Sequence, residues 1–185
     1  MRSLDQTTDE DLVSKIISGQ KELFYHVVTR YEAKLKRYIL TITNRRSEAE
    51  DILQNVFLKA YKNLPTFNNS LKFSSWLYRI AHNESINIIG SSFIQRFVSM
   101  PEWFDIGRRD DIEEKIDDEQ MRKKLKGCVE KLSMKYKEPL VLFYYEEKTY
   151  EEISDILRIP VRNVGVLIHR GKSQVKKICY EKNNR

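Results

Sequence analysis

Residues 47–87 read SEAEDILQNVFLKAYKNLPTFNNSLKFSSWLYRIAHNESIN. Two helix signals are joined here by a polar loop. Ser47-x-x-Glu50 has the form of a capping box, which satisfies orphan N–H groups at a helix start. Behind it, Ile52, Val56, Phe57, Ala60 and Leu64 recur at helical spacing. Asp51, Gln54, Asn55 and Leu58 fall mostly off that stripe, and an apolar Leu58 among polar neighbours marks either a partner surface or an ordinary exposed leucine. Pro65 to Lys72 is loop, rich in Pro, Asn and Ser. Ser74 or Ser75 then caps a second helix, with Trp76, Leu77, Ile80 and Ala81 on one side and Tyr78, Arg79, His82 and Asn83 on the rest. Aromatic, cationic and amide groups on one short helix suit single-stranded nucleic acid, because bases stack on rings and Asn hydrogen-bonds an exposed base edge. The bland alternative is an amphipathic helix with Trp76 in the core.

Working outward towards the start, Thr8 caps a helix beginning Asp9-Glu-Asp, with Leu12, Val13, Ile16 and Ile17 as its apolar face and Gly19 as its stop. A longer helix is predicted from about Lys21 to Thr43, its core stripe running from Leu23 through Tyr31 and Leu35 to Ile42. Asn44-Arg45-Arg46 is the turn before Ser47. The Ser74 helix stops at Gly90. Residues 9–90 therefore read as a bundle of about four helices, and no period-two run is long enough for a strand.

Residues 91–118 lack clear periodicity. They carry Phe93, Phe97, Trp103 and Phe104 ahead of an acidic run, which a wholly disordered linker rarely does. Helical patterning resumes near Ile116, with Met121, Leu125, Cys128, Val129 and Leu132 as one stripe. Ser133 reads as a break and a new cap. Pro139 falls in the first turn or so of the next helix, where proline is tolerated, and Leu140, Val141, Phe143 and Tyr144 form its apolar body. Thr149 with Glu152 is another capping box. Its helix ends near Arg158, Ile159-Pro160-Val161 makes a tight turn, and a further helix runs from about Arg162 towards Tyr180. Two helices joined so briefly make a helix-turn-helix, whose second helix enters the DNA major groove. Arg162 and Asn163 at its start would face DNA, with His169, Arg170, Lys172, Lys176 and Lys177 nearby for bases or phosphates. A plain helical hairpin with a solvated basic end is the alternative.

Charge agrees with this organisation. The 185-residue chain carries a net charge of +6, distributed as +3 over residues 1–90, −5 over 91–120 and +8 over 121–185. An acidic segment between two basic ones looks like a linker between modules, and basic modules favour an acidic partner, of which nucleic acid is the usual one. Cys128 and Cys179 lack metal or redox spacing and are expected as buried free thiols, which suits a reducing cytoplasm. No run resembles a signal peptide or a membrane span, so direct membrane insertion is not expected. His26, His82 and His169 are dispersed, and the chain has no phosphate loop, metal-spaced cluster or nucleophile motif. No catalytic residue, metal or cofactor is expected.

The run Glu48 to Tyr61 followed by Phe73 to Asn83 resembles the sigma-two domain of bacterial RNA polymerase sigma factors, nearest the small extracytoplasmic-function (ECF) group. Tyr150-Glu-Glu-Ile-Ser154, Ile159-Pro160 and Asn163-Val164 resemble its sigma-four domain. The resemblance implies an all-α protein of two small helical domains, sigma-two-like at 9–90 and sigma-four-like at 119–180, joined by the linker 91–118. It implies a factor that binds core RNA polymerase through Asp51, Gln54, Asn55 and Leu58. The minus-ten promoter element would be opened by Trp76, Tyr78, Arg79, His82, Asn83 and Asn87. The minus-thirty-five element would be read by Arg162, Asn163, Leu167, His169, Arg170 and Lys172. It also implies a membrane-bound or soluble anti-sigma partner. Six positions depart from the family pattern: Asn55 for a usual Glu, Asn87 for Asp, Gly90 for Arg, Asn163 for Thr, and Gly165 with Leu167 at usually basic places. The competing reading is a helix-turn-helix regulator that binds DNA without polymerase, which leaves the first module without a task.

Overall fold

The computed structural model describes residues 7–90 and 119–181, with side chains from 124 to 180 in the second segment. The apolar groups expected between Phe93 and Phe104, and Met121 of the later stripe, lie outside the described side chains. Every regular element among the described residues is helical: α1 (Asp9–Ile17), α2 (Phe24–Thr43), α3 (Ala49–Asn63), α4 (Phe73–Ile89), α5 (Glu119–Glu130), α6 (Met134–Tyr144), α7 (Tyr150–Leu157) and α8 (Val161–Glu181). The chain divides into two compact units. One holds α1–α4; the other holds α5, α6, α8 and the start of α7, while Asp155–Arg158 groups with the first.

In the first unit α2, α3 and α4 pack on one another, and α1 closes one side. The expected stripes supply most of the core, although Ile17 of the expected α1 face is exposed, Leu23 and Phe57 are only half-buried, and α3 also buries Leu53. Leu12, Val13, Val27, Leu35, Ile39, Val56, Ala60 and Leu77 are all at or near zero exposure. Thr8 caps α1 by accepting the Asp11 N–H at 3.1 Å. The long helix begins as a 3₁₀ turn at Lys21–Leu23 and ends at Asn44, whose φ of 54° is the left-handed stop a helix end uses.

Two of the expected caps in this unit are not made. Ser47 lies one residue outside the N-cap position, which Glu48 occupies, and its hydroxyl donates to the Glu48 carboxylate at 3.1 Å. The Glu50 carboxylate is taken by Lys36 of α2. With Glu48 at the N-cap, Glu50 is the second residue of α3 rather than the third, so the Ser47/Glu50 box is out of register. Ser74 and Ser75 are likewise inside α4 rather than before it. Glu10 of α1 accepts the Phe73 N–H at 3.0 Å instead, so the start of α4 is capped from 63 residues away. Gly90, at φ 102°, ends α4 as expected.

In the second unit α6 and α5 pack on α8. The approach of α6 to α8 is close: a Cβ on Gly171 would lie 2.7 Å from Leu140 Cδ1 and 3.2 Å from the Tyr136 carbonyl, so this crossing requires glycine. Ser133 does precede α6, yet its side chain makes no capping bond. Pro139 is the sixth residue of α6, not in its first turn, and it is buried. Leu140, Val141 and Leu142 carry the α6 core, whereas Tyr144 is 45% exposed and not part of it. The free-thiol expectation is corrected. Cys128 of α5 and Cys179 of α8 form a disulfide, their Cα atoms 5.7 Å apart. The pairing was invisible in the spacing because 51 residues separate them and only the return of α8 brings them together.

Candidate interaction surfaces

On α3 the residues Asp51, Gln54, Asn55 and Leu58 are all exposed, and Leu58 shows half of its surface. Their spacing of three, four and seven puts them on one face. The opposite face buries Ile52, Leu53, Val56 and Ala60. The polar stripe is therefore available without disturbing the core. Tyr61, 40% exposed and edge-on to Phe24 with ring centroids 5.0 Å apart, extends the apolar part of this surface. Sequence reasoning missed Tyr61; its signal was its place three residues beyond Leu58.

On α4 the stripe consists of Trp76, Arg79, Asn83 and Asn87. Asn83 and Asn87 are exposed, while Trp76, Arg79 and His82 are half-buried. Trp76 is wedged against Phe67 and Phe73 at centroid distances of 5.3 and 5.6 Å. Phe73 in turn meets Tyr31 at 6.0 Å. This aromatic cluster fixes the start of α4 and the loop before it. Phe67 was hidden inside a stretch read as polar loop. Tyr78 is a correction. It is 1% exposed and edge-on to Tyr38 at 5.3 Å, so it belongs to the core and offers no surface to DNA. Two residues after Trp76, it points to a different side of the helix, the one that α2 covers.

The helix-turn-helix is built as its residues dictate. Thr149 and Glu152 form the reciprocal capping box: Thr149 Oγ1 accepts from the Glu152 N–H at 3.2 Å, and Glu152 Oε2 accepts from the Thr149 N–H at 2.9 Å. Arg158 takes φ 53° to end α7. Ser154 Oγ donates to the Ile159 carbonyl at 2.6 Å, and the Asn163 N–H donates to the Pro160 carbonyl at 2.8 Å. The turn is thus held at both ends. Val164, Leu167 and Ile168 are buried and seat α8. Leu167 is accordingly the second correction: at 1% exposure it is a core residue, not a DNA contact. Gly165 has a structural reason, since a Cβ there would come within 3.2 Å of the Tyr150 ring.

Arg162 and His169 are exposed, and Asn163, Arg170 and Lys172 are half-buried. Each of the pairs Arg162/His169 and Asn163/Arg170 lies two turns apart, so the pairs form adjacent columns along α8. With the +8 charge of residues 121–185, this is a cationic helix face of the kind that meets phosphates and base edges. Among the described residues no group of three His, Cys, Asp or Glu side chains is placed to hold a metal ion. No described helix is long and apolar enough to cross a membrane.

Comparison with known proteins adds an independent line. Residues 27–91 match the family model for sigma-70 region 2, and residues 122–175 match that for sigma-70 region 4. The chain is similar to the ECF RNA polymerase sigma factor SigW of Bacillus subtilis, with 30% identity over 89% of this chain and 93% of that protein. It is also similar to the ECF RNA polymerase sigma-E factor of Haemophilus influenzae, with 27% identity over 93% and 95%. Among solved structures, CnrH in complex with the cytosolic domain of CnrY shares the fold, with TM-score 0.67 and 21% identity over 92% of this chain and 96% of that one.

Proposed function

The chain belongs to the ECF group of the sigma-70 family of RNA polymerase sigma factors, and from that premise we propose how its surfaces divide the work. It binds core RNA polymerase and directs promoter-specific transcription initiation. The observation that carries this is the pairing of the two sigma-70 regions on one chain, each of which presents a polar stripe off its core.

The sigma-two-like domain, residues 9–90, docks on polymerase through Asp51, Gln54, Asn55 and Leu58. Four adjacent exposed side chains on a helix whose other face is core make a surface that binding does not have to unfold. The stripe of Trp76, Arg79, Asn83 and Asn87, flanked by His82, takes the opened minus-ten strand. Asn83 offers a donor and an acceptor to an unpaired base. Trp76 braces the helix, because its ring is already occupied by Phe67 and Phe73. The sigma-four-like domain, residues 119–180, reads the minus-thirty-five duplex with Arg162, Asn163, His169, Arg170 and Lys172. Tyr78 and Leu167 are excluded by burial.

This division needs no chemistry at the protein's own side chains, so we assign the chain no enzymatic activity and no cofactor. Its place of action is with polymerase and DNA, in the cytoplasm. A membrane-bound or soluble anti-sigma protein is a further partner. Run-off transcription with purified core polymerase on a promoter library tests the reading: specific transcripts are expected only when the chain is present. Duplex binding without any polymerase-dependent transcript would favour the regulator that acts alone.

A further inference from the structure

We propose that Cys128 and Cys179 form a redox-responsive staple that fixes the basic end of α8. The effect on DNA and the reducing compartment rest on the reading above; the link between the two helices does not.

The packing of α8 is uneven. Up to Gly171 the helix is seated by buried Val164, Leu167 and Ile168 and by the close Gly171–Leu140 crossing. From Lys172 to Tyr180 not one side chain is fully buried. α5 has the complementary weakness: residues 124–127 are all half-buried or exposed, and Cys128 is the first buried side chain among its described residues. The disulfide joins these two weakly packed segments where they touch. Val129 and Leu132, both buried, still hold α5 when the link is open, so the unit folds in either state.

The two cysteine residues differ in exposure. Cys128 is 2% exposed, whereas Cys179 is half-buried and meets solvent first. In a reducing compartment a disulfide is usually transient and redox-sensing rather than permanent. With hydrogen peroxide as oxidant, the Cys179 thiolate attacks one peroxide oxygen. The O–O bond breaks, a sulfenic acid forms, and the expelled hydroxide takes up a proton and leaves as water. The Cys128 thiol then attacks the sulfenic sulfur, the S–S bond forms, and the second water departs. Two electrons pass from the thiols to the peroxide. A dithiol reductant reverses the link by thiol–disulfide exchange and is itself oxidised to its disulfide.

The oxidised state holds Lys172, Lys176 and Lys177 on a fixed helix, while the reduced state lets those turns fray. Phosphate contacts from a fixed helix lose less entropy on binding.

The test uses the full chain, treated with hydrogen peroxide or with dithiothreitol, beside the Cys128→Ser/Cys179→Ser double variant. Thiol trapping should show both cysteines blocked after peroxide and both free after dithiothreitol. Amide exchange over residues 172–181 should be roughly tenfold slower in the oxidised form. A mixed-sequence duplex should bind the oxidised form about three- to tenfold more tightly at moderate salt, with a steeper salt slope. The double variant should behave as the reduced form under both treatments. Cysteines that stay free in peroxide, or tail amides that exchange alike in both states, overturn the staple. A redox-dependent tail with no duplex binding in either state upholds the staple and overturns the DNA-reading role of α8.

Discussion

Glu10 Oε1 accepts the backbone N–H of Phe73 at 3.0 Å, so the first helix of the chain caps the fourth. The bond places the start of α4, and with it Trp76 and the stripe that follows. Glu10→Ala should cost about 1 kcal/mol, the usual value of a helix cap, and lower the unfolding midpoint by about 4–8 °C. Glu10→Gln keeps an acceptor and should restore most of that loss. Calorimetry on the three proteins decides the matter: equal midpoints would mean that Phe73 N–H is satisfied equally well by water.

Tyr31 gives a pH dependence in the same corner. Its phenol donates to Asp9, which also receives Arg30 Nη1 at 2.8 Å. Burial first, then the hydrogen bond to Asp9, push the phenol well above its ordinary value of 10.0. A raised pKa in the folded state means that the stabilisation is complete below pH 10 and declines as pH rises beyond it, because the unfolded phenol ionises first. Urea titrations should show wild type losing stability above pH 10, with Tyr31→Phe losing less over the same range. At pH 7 the variant should be weaker by about 1 kcal/mol, the value of one hydrogen bond. Parallel pH profiles would remove Tyr31 from the account.

The exposed face of α3 makes its own prediction. Asp51→Ala with Gln54→Ala should weaken the binding of core polymerase by about tenfold or more, equivalent to about 1.4 kcal/mol. Circular dichroism should stay unchanged, because neither side chain is in the core. Titration of labelled core polymerase checks this, and unaltered affinity would remove α3 as the docking surface.

On α8, alanine at Arg162, Asn163 or Arg170 separates two roles. Loss of a base contact should cost about 1–3 kcal/mol and relax sequence preference at one position. Loss of a phosphate contact should weaken all duplexes alike and reduce the salt slope by about one. Competition binding over a range of salt distinguishes them. Three variants that bind and discriminate like wild type would refute the assignment. Leu167→Ala is the contrast: as a buried leucine it should destabilise the unit by about 2–5 kcal/mol, and any effect on DNA should follow from unfolding.

Asn83→Ala should leave closed-complex formation nearly intact and impair promoter opening. Permanganate reactivity of thymines near the start site reports the opened strand. A pre-melted bubble template should rescue the variant. Normal opening on linear DNA, with no advantage from the bubble, would make Asn83 a plain surface residue.

The sequence by itself determined the helices, their core stripes and the family. Those signals are local: apolar spacing of three and four, the Thr8 and Thr149 caps, the stops at Gly19 and Gly90, and two ordered motifs. The exposed α3 stripe was legible for the same reason, since a helix period that places Val56 and Ala60 inward leaves Asp51, Gln54 and Leu58 outward. Tertiary structure decided whatever depended on which neighbour covers a face. Tyr78 and Leu167 share composition and spacing with surface residues, and only packing onto Tyr38 or into the α8 core removes them from the DNA-facing set. Glu50 pairs with Lys36 of another helix, and Phe73 was capped by Glu10. Cys128 found Cys179 across 51 residues. Each is a partnership between segments far apart in the chain, and a sequence period specifies the side a residue faces but not what the fold brings to that side.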